Sequence, residues 1–451
     1  MRIPERPPNF SKKDVVRGVL ESNADPNAKA TIIDALLYGN SPFKQTPYLH
    51  WDELRRKTVS AGLTHETWWF LLKLKRSATY QKIPILDPTG KPFIIANDPE
   101  IQRSLHRIDR QVPSESIAEA NLTTPESNDR FLIATLQDEA ITSSQMEGAA
   151  TTTRIAKEML RSGREPRDRD EQMIVNNYRA MRRIRELAKE PLSLELILEI
   201  HEIITEKTLK NAADAGRLRA DDDNIHIVDE YNETLYVPPA AKELPERMQV
   251  FCDFANAIDE EPFLHPVVRA ILIHFGLAIN HPFVDGNGRT ARALFYWHML
   301  RSRYSLFEHL SISGVIKTSS AQYARAFLYA ETDDNDATYF VIYHLKTILR
   351  AIDRFSEYTK TKQKELHHAE SILKKSADLN YRQKTLLANA LRNPDTEYVI
   401  ESHARSHDVS YQTARNDFVD LEKRKFLKKR RRGKSWIFIR GIEIDRALEK
   451  M

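Results

Sequence analysis

The chain has 451 residues, 41% of them hydrophobic and 29% charged, with a formal net charge of +4. This balance excludes a disordered chain, and the length suits about two or three domains. The single cysteine, Cys252, excludes an intrachain disulfide, and the apolar run from Ala270 to Ile279 is too short for a membrane span. Because the first residues lack the apolar core of a signal peptide, we expect a cytoplasmic protein without a membrane partner.

The sequence predicts a mainly α fold, since it has only 13 glycines and is rich in Leu, Ala, Glu, Lys and Arg. After a Pro-containing arm at residues 1–46, apolar spacing predicts two helices between Trp51 and Arg76, joined at Gly62. A hairpin is predicted from Ile83 to Ile95 around a Pro-Thr-Gly turn. Helical periodicity recurs from Arg130 to Met146, from Arg154 to Leu160, from Glu171 to Leu187 and from Leu194 to Thr208.

A second, shorter hairpin is predicted between Gly216 and Pro239. Ile225 and Ile227 precede a polar Asp-Glu-Tyr-Asn-Glu turn, and residues 235–237 form an apolar run after it. Pro266 then starts a predicted helix that runs to Ile279. This helix leads directly into the segment that carries the most chemistry.

That segment is HPFVDGNGRTAR, residues 281–292. Its imidazole can take a proton near neutral pH, and its carboxylate can hold Mg²⁺, which favours carboxylate and phosphate oxygens. Gly286 and Gly288 allow a tight turn and a close approach to phosphate. A helix predicted from Asn287 to Leu300 would point its first amides at an anion.

The two arginines of the segment support the same interpretation. Arg289 and Arg292 would lie on one face of the first helical turn, where both guanidinium groups can grip phosphates. The pattern therefore predicts a site for a nucleoside triphosphate. A helix start with a solvated turn and surface arginines is the structural alternative.

The segment resembles the core motif of the Fic family, HPFxDGNGRxxR, and keeps every fixed letter of it. The resemblance implies transfer of AMP from ATP to a Ser, Thr or Tyr hydroxyl of a target protein or of the protein itself, with release of pyrophosphate. It implies His281 as catalytic base, Asp285 as Mg²⁺ ligand and Phe283 as apolar anchor. The implied ATP-binding residues are Gly286, Asn287, Gly288, Arg289, Thr290, Ala291, Arg292 and Tyr323. The motif's GNGR segment favours AMP transfer over the family's phosphate-transferring branch.

Two further elements take their interpretation from the resemblance. The hairpin between Gly216 and Pro239 is similar to the flap that holds the target segment by strand addition in Fic proteins, although a structural turn has the same pattern. Tyr323 lies on a helix predicted from Ser320 to Tyr329 and resembles a tyrosine near the nucleotide. A core aromatic is the alternative for Tyr323.

An inhibitory segment is predicted upstream of the motif. Its residues Ser143-Ser144-Gln145-Met146-Glu147-Gly148 resemble the inhibitory motif of Fic proteins. The resemblance implies that Glu147 pairs with Arg292. A carboxylate bound to this guanidinium group prevents it from binding the γ-phosphate of ATP. Ser143 belongs to the same motif. A helix-end glutamate before a glycine cap is the alternative. Relief of inhibition through a homodimer contact and a second role for Glu147 in removing AMP both stay open.

The C-terminal residues resemble a winged helix-turn-helix. Three predicted helices are followed by strands that flank the basic run KKRRRGK at residues 428–434, with Gly433 near the tip. We expect DNA as partner, with the third helix in a major groove and the wing on phosphates. The candidate DNA-binding residues are Gln412, Thr413, Arg415, Lys428, Arg430 and Arg431. A protein-docking winged helix or a solvated hairpin is the alternative.

These elements predict four regions along the chain. They are an N-terminal helical region with a hairpin at 1–125, a Fic-type core at 126–350 with the inhibitory helix at 130–148, a helical connector at 351–379 and a winged helix domain at 380–451. The leading hypothesis is an autoinhibited protein adenylyltransferase using ATP and Mg²⁺. A DNA-binding transcriptional regulator that senses a nucleotide is the alternative. Transfer of another nucleotide or of another phosphate-containing group also stays open, because the residues that bind the phosphates do not recognise the base.

Overall fold

The structure, a computed structural model, describes residues 2–9, 47–58, 64–111, 125–228, 233–257, 262–375, 378–392, 396–432 and 435–441, with a few single positions between them. The predicted N-terminal arm lies mostly outside the described residues. So do the predicted join at Gly62, part of the turn in the second hairpin and the wing tip at Gly433.

Contacts divide the chain into two compact units. The first contains residues 1–114 and 132–352, and the second contains residues 115–131 and 353–451. Residues of the predicted N-terminal region and of the predicted core therefore lie in one unit. Among the described residues, none of the helices combines the length and the apolar composition that a bilayer crossing requires.

The first unit begins with short elements around one hairpin. They are α1 (Trp51–Leu54), α2 (His65–Ser77), β1 (Tyr80–Leu86), β2 (Pro92–Ala96) and α3 (Pro99–Gln111). The strands β1 and β2 pair antiparallel, with Tyr80 opposite Ala96. This arrangement confirms the first predicted hairpin.

The hairpin β1–β2 is bound into the core through its outer edge. The Ile94 amide donates to the Asn335 carbonyl at 2.9 Å, and the Ala96 amide donates to the Thr338 hydroxyl at 2.8 Å. Phe93 packs edge-to-face against Phe275 with ring centroids 4.9 Å apart. These bonds explain why the N-terminal region and the core form one unit.

The remaining elements of the first unit are mostly helices. They are α4 (Pro125–Met146), α5 (Thr153–Ser162), α6 (Arg169–Leu187), α7 (Leu194–Thr205), β3 (Ile227–Val228), β4 (Thr234–Tyr236), α8 (Leu244–Asn256), α9 (Pro266–Asn280), α10 (Asn287–Arg301), α11 (Ile312–Lys317), α12 (Ser320–Thr332) and α13 (Thr338–Lys375). The first residues of α4, up to residue 131, are grouped with the second unit. Helices α9 and α10 lie at the centre of the unit, since nearly all of their side chains are buried. The helix α13 contains residues 351–375 of the predicted connector and continues into the second unit.

Besides the ends of α4 and α13, the described residues of the second unit form three short helices and a hairpin. They are α14 (Tyr381–Arg392), α15 (Ile400–Ser406), α16 (Tyr411–Lys423), β5 (Leu427–Arg432) and β6 (Ser435–Arg440). Leu387, Phe418 and Phe438 lie in its core. The strands pair antiparallel from Leu427 opposite Arg440 to Arg432 opposite Ser435. The mainly helical fold class is thereby confirmed, and small two-stranded sheets supplement it.

Candidate nucleotide-binding site

His281 is positioned by the end of α9. Its amide donates to the Leu277 carbonyl at 2.9 Å, and its backbone is left-handed, with φ +43°. The Arg219 Nε donates to the His281 carbonyl at 2.8 Å. Burial first, and then the positive charge of Arg219, lowers the pKa of His281 to about 4. The imidazole is therefore neutral near pH 7 and able to accept a proton.

The loop between α9 and α10 is held by its own side chains. The Asn287 side chain accepts from the Phe283 amide at 3.0 Å and donates to the Phe283 carbonyl at 2.8 Å. The Thr290 hydroxyl donates to the Gly286 carbonyl at 2.9 Å, and Ala291 is fully buried. In this conformation the side chains of Asn287 and Thr290 bind the loop itself, and their predicted contribution to ATP binding stays a prediction.

Gly286 and Gly288 shape the start of α10. Gly286 precedes the helix with φ +85°, in the left-handed region that favours glycine. A Cβ at Gly288 would collide with Oε1 of Glu147. The Glu147 carboxylate thus lies directly over the backbone of the first turn, where the sequence places an anion.

Arg292 binds the predicted inhibitory segment. Its Nη2 lies 2.8 Å from Oε1 of Glu147, and it also donates to the Ser143 carbonyl at 3.1 Å. Its Nε donates to the Ser143 hydroxyl at 2.8 Å. The predicted pairing of Glu147 with Arg292 is therefore present in the structure. Glu147 lies one residue beyond α4, and Gly148 follows it with φ +96°.

Asp285 lies between two guanidinium groups. Nη2 of Arg169 is 3.3 Å from its Oδ2, and Nη2 of Arg289 is 3.3 Å from its Oδ1. Arg289 is fully buried and also donates to the Ile204 carbonyl at 3.2 Å. Arg289 therefore holds the carboxylate in this conformation, and its predicted contact with phosphate stays a prediction.

The surroundings of Asp285 suit one kind of cation site. Within the described ranges, no three side chains of His, Cys, Asp or Glu form a group that could hold a metal ion. The Asp285 side chain is 38% exposed and stands beside the start of α10. A single accessible carboxylate next to the backbone amides at the start of α10 fits Mg²⁺, which commonly binds one or two carboxylates together with phosphate oxygens and water.

Tyr323 lies on α12 next to Arg292. Its hydroxyl is 2.9 Å from Nε2 of His274. Burial raises the pKa of Tyr323, so the hydroxyl stays protonated. The structure therefore places Tyr323 in a hydrogen bond with the buried His274, and its predicted contact with the nucleotide stays a prediction.

The second hairpin stands close to His281. Its strands β3 and β4 pair antiparallel, with Ile227 opposite Tyr236. The Tyr236 hydroxyl donates to the Ile279 carbonyl at 3.1 Å, two residues before His281. Arg219 connects the hairpin's flanks to the motif, because its amide donates to the Pro282 carbonyl at 2.9 Å and its Nη2 donates to the Pro239 carbonyl at 2.5 Å.

Besides Arg219, two residues that contact Asp285 were not predicted from the sequence. His201 on α7 binds the Asp285 carbonyl through Nε2 at 2.9 Å, and Arg169 pairs with the same residue's carboxylate. Burial lowers the pKa of His201 to about 4. The apolar periodicity of α7 predicts a core residue at the position of His201. The sequence around Arg169 gives no indication that this residue contacts the motif.

The candidate DNA-binding residues lie on two elements of the second unit. Gln412, Thr413 and Arg415 are on α16, and Gln412 and Arg415 are exposed. The hydroxyl of Thr413 is 2.9 Å from that of Ser410, at the helix start. Lys428, Arg430 and Arg431 are exposed on β5.

Comparison with known proteins identifies the class of domain. Residues 191–299 match the family model described as the Fic/DOC family. The chain is 35% identical over 115 residues to a protein adenylyltransferase Fic from Nematostella vectensis, which covers 26% of this chain and 24% of that protein. It is 44% identical over 69 residues to the one from Drosophila willistoni, covering 15% of this chain and 14% of that protein. The matches thus span about a quarter or less of these relatives' length.

A solved structure extends the likeness of the fold. A Fic family protein from Desulfovibrio desulfuricans G20 superposes with a TM-score of 0.51 at 20% identity, covering 76% of this chain and 97% of that one. The chain therefore carries a Fic/DOC domain, and this domain contains His281 to Arg292.

Proposed function

We propose that the protein transfers AMP from ATP to a hydroxyl group of a protein side chain and that Glu147 restrains this reaction. One observation carries the proposal. A neutral imidazole, an accessible carboxylate and a helix start backed by Arg292 converge on one loop, and Glu147 lies over that helix start. The names of the relatives in Nematostella and Drosophila support AMP transfer as the reaction.

Each residue has a role in the proposed reaction. The neutral His281 ring takes the proton of the attacking hydroxyl on its unprotonated nitrogen. The hydroxyl oxygen forms a bond to the α-phosphorus as the bond to pyrophosphate breaks. The amides at the start of α10 and Arg292 bind the departing phosphates. Mg²⁺ bound at Asp285 would neutralise charge on the phosphates.

Glu147 opposes this arrangement by charge and by position. Its carboxylate occupies the space over Gly288 and engages Arg292, so a triphosphate meets negative charge where it needs a cation. ATP then binds weakly, or with its α-phosphate poorly placed for in-line attack. Removing the carboxylate is expected to release the activity.

The test uses ATP labelled at the α-phosphate and the full-length protein in a cell lysate. Glu147→Gly is expected to label itself or a lysate protein above the wild-type level, and His281→Ala in that background is expected to abolish the label. ATP labelled at the γ-phosphate is the matched control. Labelling from the γ-phosphate, or equal labelling with and without His281, would overturn the proposal.

The second unit favours nucleic acid as an additional partner. Lys428, Lys429, Arg430 and Arg431 are consecutive exposed cations on β5, and Lys429 lies 4.3 Å from the ring centre of the exposed Trp436. The exposed residues in the first turns of α16 are polar or basic. Asp417 is buried against Arg382 at 2.8 Å, and the half-buried Asp420 and Glu422 lie towards the end of the helix, where Asp420 pairs with Arg424 at 3.0 Å. A basic strand beside a polar helix suits phosphate contacts and base contacts respectively.

Fluorescence anisotropy with labelled duplex DNA tests this partner across a range of salt. Replacing Lys428, Arg430 and Arg431 by Ala is expected to weaken binding and to reduce the slope of log K against log salt by about 0.9 for each phosphate that the variant no longer neutralises. Ala at Lys82 and Lys189, which are exposed in the first unit, is the control. Absence of DNA binding, or binding that ignores both salt and the substitutions, would contradict it and favour protein docking.

A further inference from the structure

His201 occupies a junction that connects three parts of the molecule. It is fully buried in α7, and its Nε2 lies 2.9 Å from the Asp285 carbonyl. Its Nδ1 accepts a hydrogen bond from the Gly216 amide at 3.1 Å. Gly216 begins the segment that leads to the hairpin β3–β4. One side chain thus binds the backbones of the motif loop and of the hairpin segment.

The two partners fix the tautomer of the ring. A backbone amide can only donate, so Nδ1 must carry the lone pair that accepts from Gly216. Nε2 then carries the hydrogen and donates it to the Asp285 carbonyl, which can only accept. Both polar atoms are satisfied in a buried position, and removal of the ring would leave an amide and a carbonyl without these bonds.

The ring also sets the distance between α7 and the motif loop. It stacks on Phe283 with centroids 3.7 Å apart and planes 7° apart. A Cβ at Gly286 would lie 2.9 Å from Thr205 Cγ2 and 3.4 Å from the His201 ring, so the loop lies directly on α7. An apolar side chain could fill this volume, but it could not hold both backbones.

We propose that His201 is a positioning residue, which sets the Asp285 backbone for cation binding and ties the hairpin segment to the same loop. The inference rests on the proposed function. The Asp285 carboxylate is partly exposed, and it contacts Arg169 and Arg289 at 3.3 Å and the Gly286 amide within its own loop. Its placement therefore depends on the backbone of this loop, which His201 holds. The cation and the hairpin that would receive the target are thereby coupled through one ring.

Two substitutions in the Glu147→Gly background separate positioning from packing. His201→Phe keeps an aromatic ring on Phe283 but removes both hydrogen bonds. His201→Gln removes the stacking, and its amide nitrogen replaces the Nε2 donor to Asp285. We expect His201→Phe to raise the Mg²⁺ concentration that half-saturates ATP binding in isothermal titration on the order of 10-fold. His201→Gln is expected to recover most of this effect.

Two further measurements keep the result interpretable. Hydrogen exchange in His201→Phe is expected to accelerate in residues 212–239 while the core peptides of α9 and α10 stay protected, which distinguishes local release from unfolding. The dependence of ATP binding on Mg²⁺ can be measured without catalysis. If the Glu147→Gly protein binds ATP but transfers no AMP, the proposed function is wrong and the role of His201 can still be tested. Unchanged Mg²⁺ dependence and exchange in His201→Phe, or a Gln variant as impaired as Phe, would overturn the role of His201.

Discussion

The Glu147 carboxylate and the Arg292 guanidinium form an ion pair of 2.8 Å that lies against the α-carbon of Gly288. The Arg292 side chain is 4% exposed and is also held by Ser143, whereas the Glu147 side chain is 28% exposed. Arg292 is therefore the fixed partner and Glu147 the one that can leave. The first turn of α10 becomes accessible to an anion once that carboxylate has moved.

The charge of Glu147 and its volume make separable contributions to this block. Glu147→Gln removes the charge and keeps the size, and Glu147→Gly removes both. Since a hydrogen bond to a charged group contributes about 1.5–3 kcal/mol, we expect Glu147→Gly to tighten ATP binding at least about tenfold and Glu147→Gln to fall between it and wild type. Isothermal titration measures the affinities, and identical Kd values for all three proteins would exclude Glu147 as a block.

Arg169 is expected to compete with the cation for Asp285. Its guanidinium lies 3.3 Å from Oδ2 and is 54% exposed, so it can move away, whereas Arg289 is fully buried. Arg169→Gln in the Glu147→Gly background should lower the half-saturating Mg²⁺ concentration for ATP binding several-fold, because the like-charge repulsion is removed. Arg183→Gln, which breaks a surface pair with Glu199, serves as the control. A higher Mg²⁺ requirement in Arg169→Gln would instead indicate that Arg169 binds the nucleotide.

The Asn287 side chain is expected to stabilise the motif loop in the absence of any ligand. It accepts from the amide of the buried Phe283 and donates to the carbonyl of the same residue. Asn287→Ala leaves both groups without these bonds, which costs about 1–3 kcal/mol for each buried group. Urea unfolding measures the decrease, and Thr290→Val, which removes a single hydroxyl bond to Gly286, should cost less. Equal stability of Asn287→Ala and wild type would show that the two hydrogen bonds between Asn287 and Phe283 do not stabilise the loop.

Stability is expected to fall as pH drops from about 6.5 towards 4. Burial lowers the pKa of His281 and of His201 to about 4, and that of His298 to about 3, from the usual value of 6.5. Below pH 6.5 these histidines bind protons in the unfolded chain but stay neutral in the folded chain. The free energy of unfolding therefore decreases as the pH falls. The contribution of these histidines to stability is fully present above pH 6.5.

Glu331 acts in the opposite direction, because burial raises its pKa to about 8. Burial also raises the pKa of Asp336. These two carboxyls oppose a larger number of histidines whose pKa burial lowers, so the net effect is a decrease in stability at low pH. Urea midpoints at pH 7.5 and at pH 5 measure it, and His298→Gln should make the difference smaller. A midpoint that rises on acidification would contradict the assignment of these histidines as neutral.

Much of the helical fold and of the motif could be predicted from the sequence because the signals are local. Helix α10 follows from the turn glycines and the absence of Pro, and α9 begins at the predicted Pro266. The partnership of Glu147 with Arg292 came from a short motif resemblance, and the structure confirms the contact. Each of these features lies within a continuous stretch of chain or carries a pattern of its own.

Other contacts depend on packing between distant segments and leave no local pattern. His201 occupies a position where helical periodicity predicts a core residue, and its partners Gly216 and Asp285 become neighbours only when α7 packs under the motif. Arg169 starts α6 with an exposed side chain and reaches Asp285 across space. Tyr323 meets Arg292 and His274 because α12 packs beside α9 and α10, which periodicity alone cannot indicate.

The central claim is most directly tested by intact-mass spectrometry of the Glu147→Gly protein after incubation with Mg²⁺ and ATP, followed by peptide mapping. The structure predicts a species heavier by one adenylyl group on a hydroxyl side chain, and no such species when His281 is also replaced by Ala. An added phosphoryl group instead, or the same adenylyl adduct with and without His281, would contradict the account.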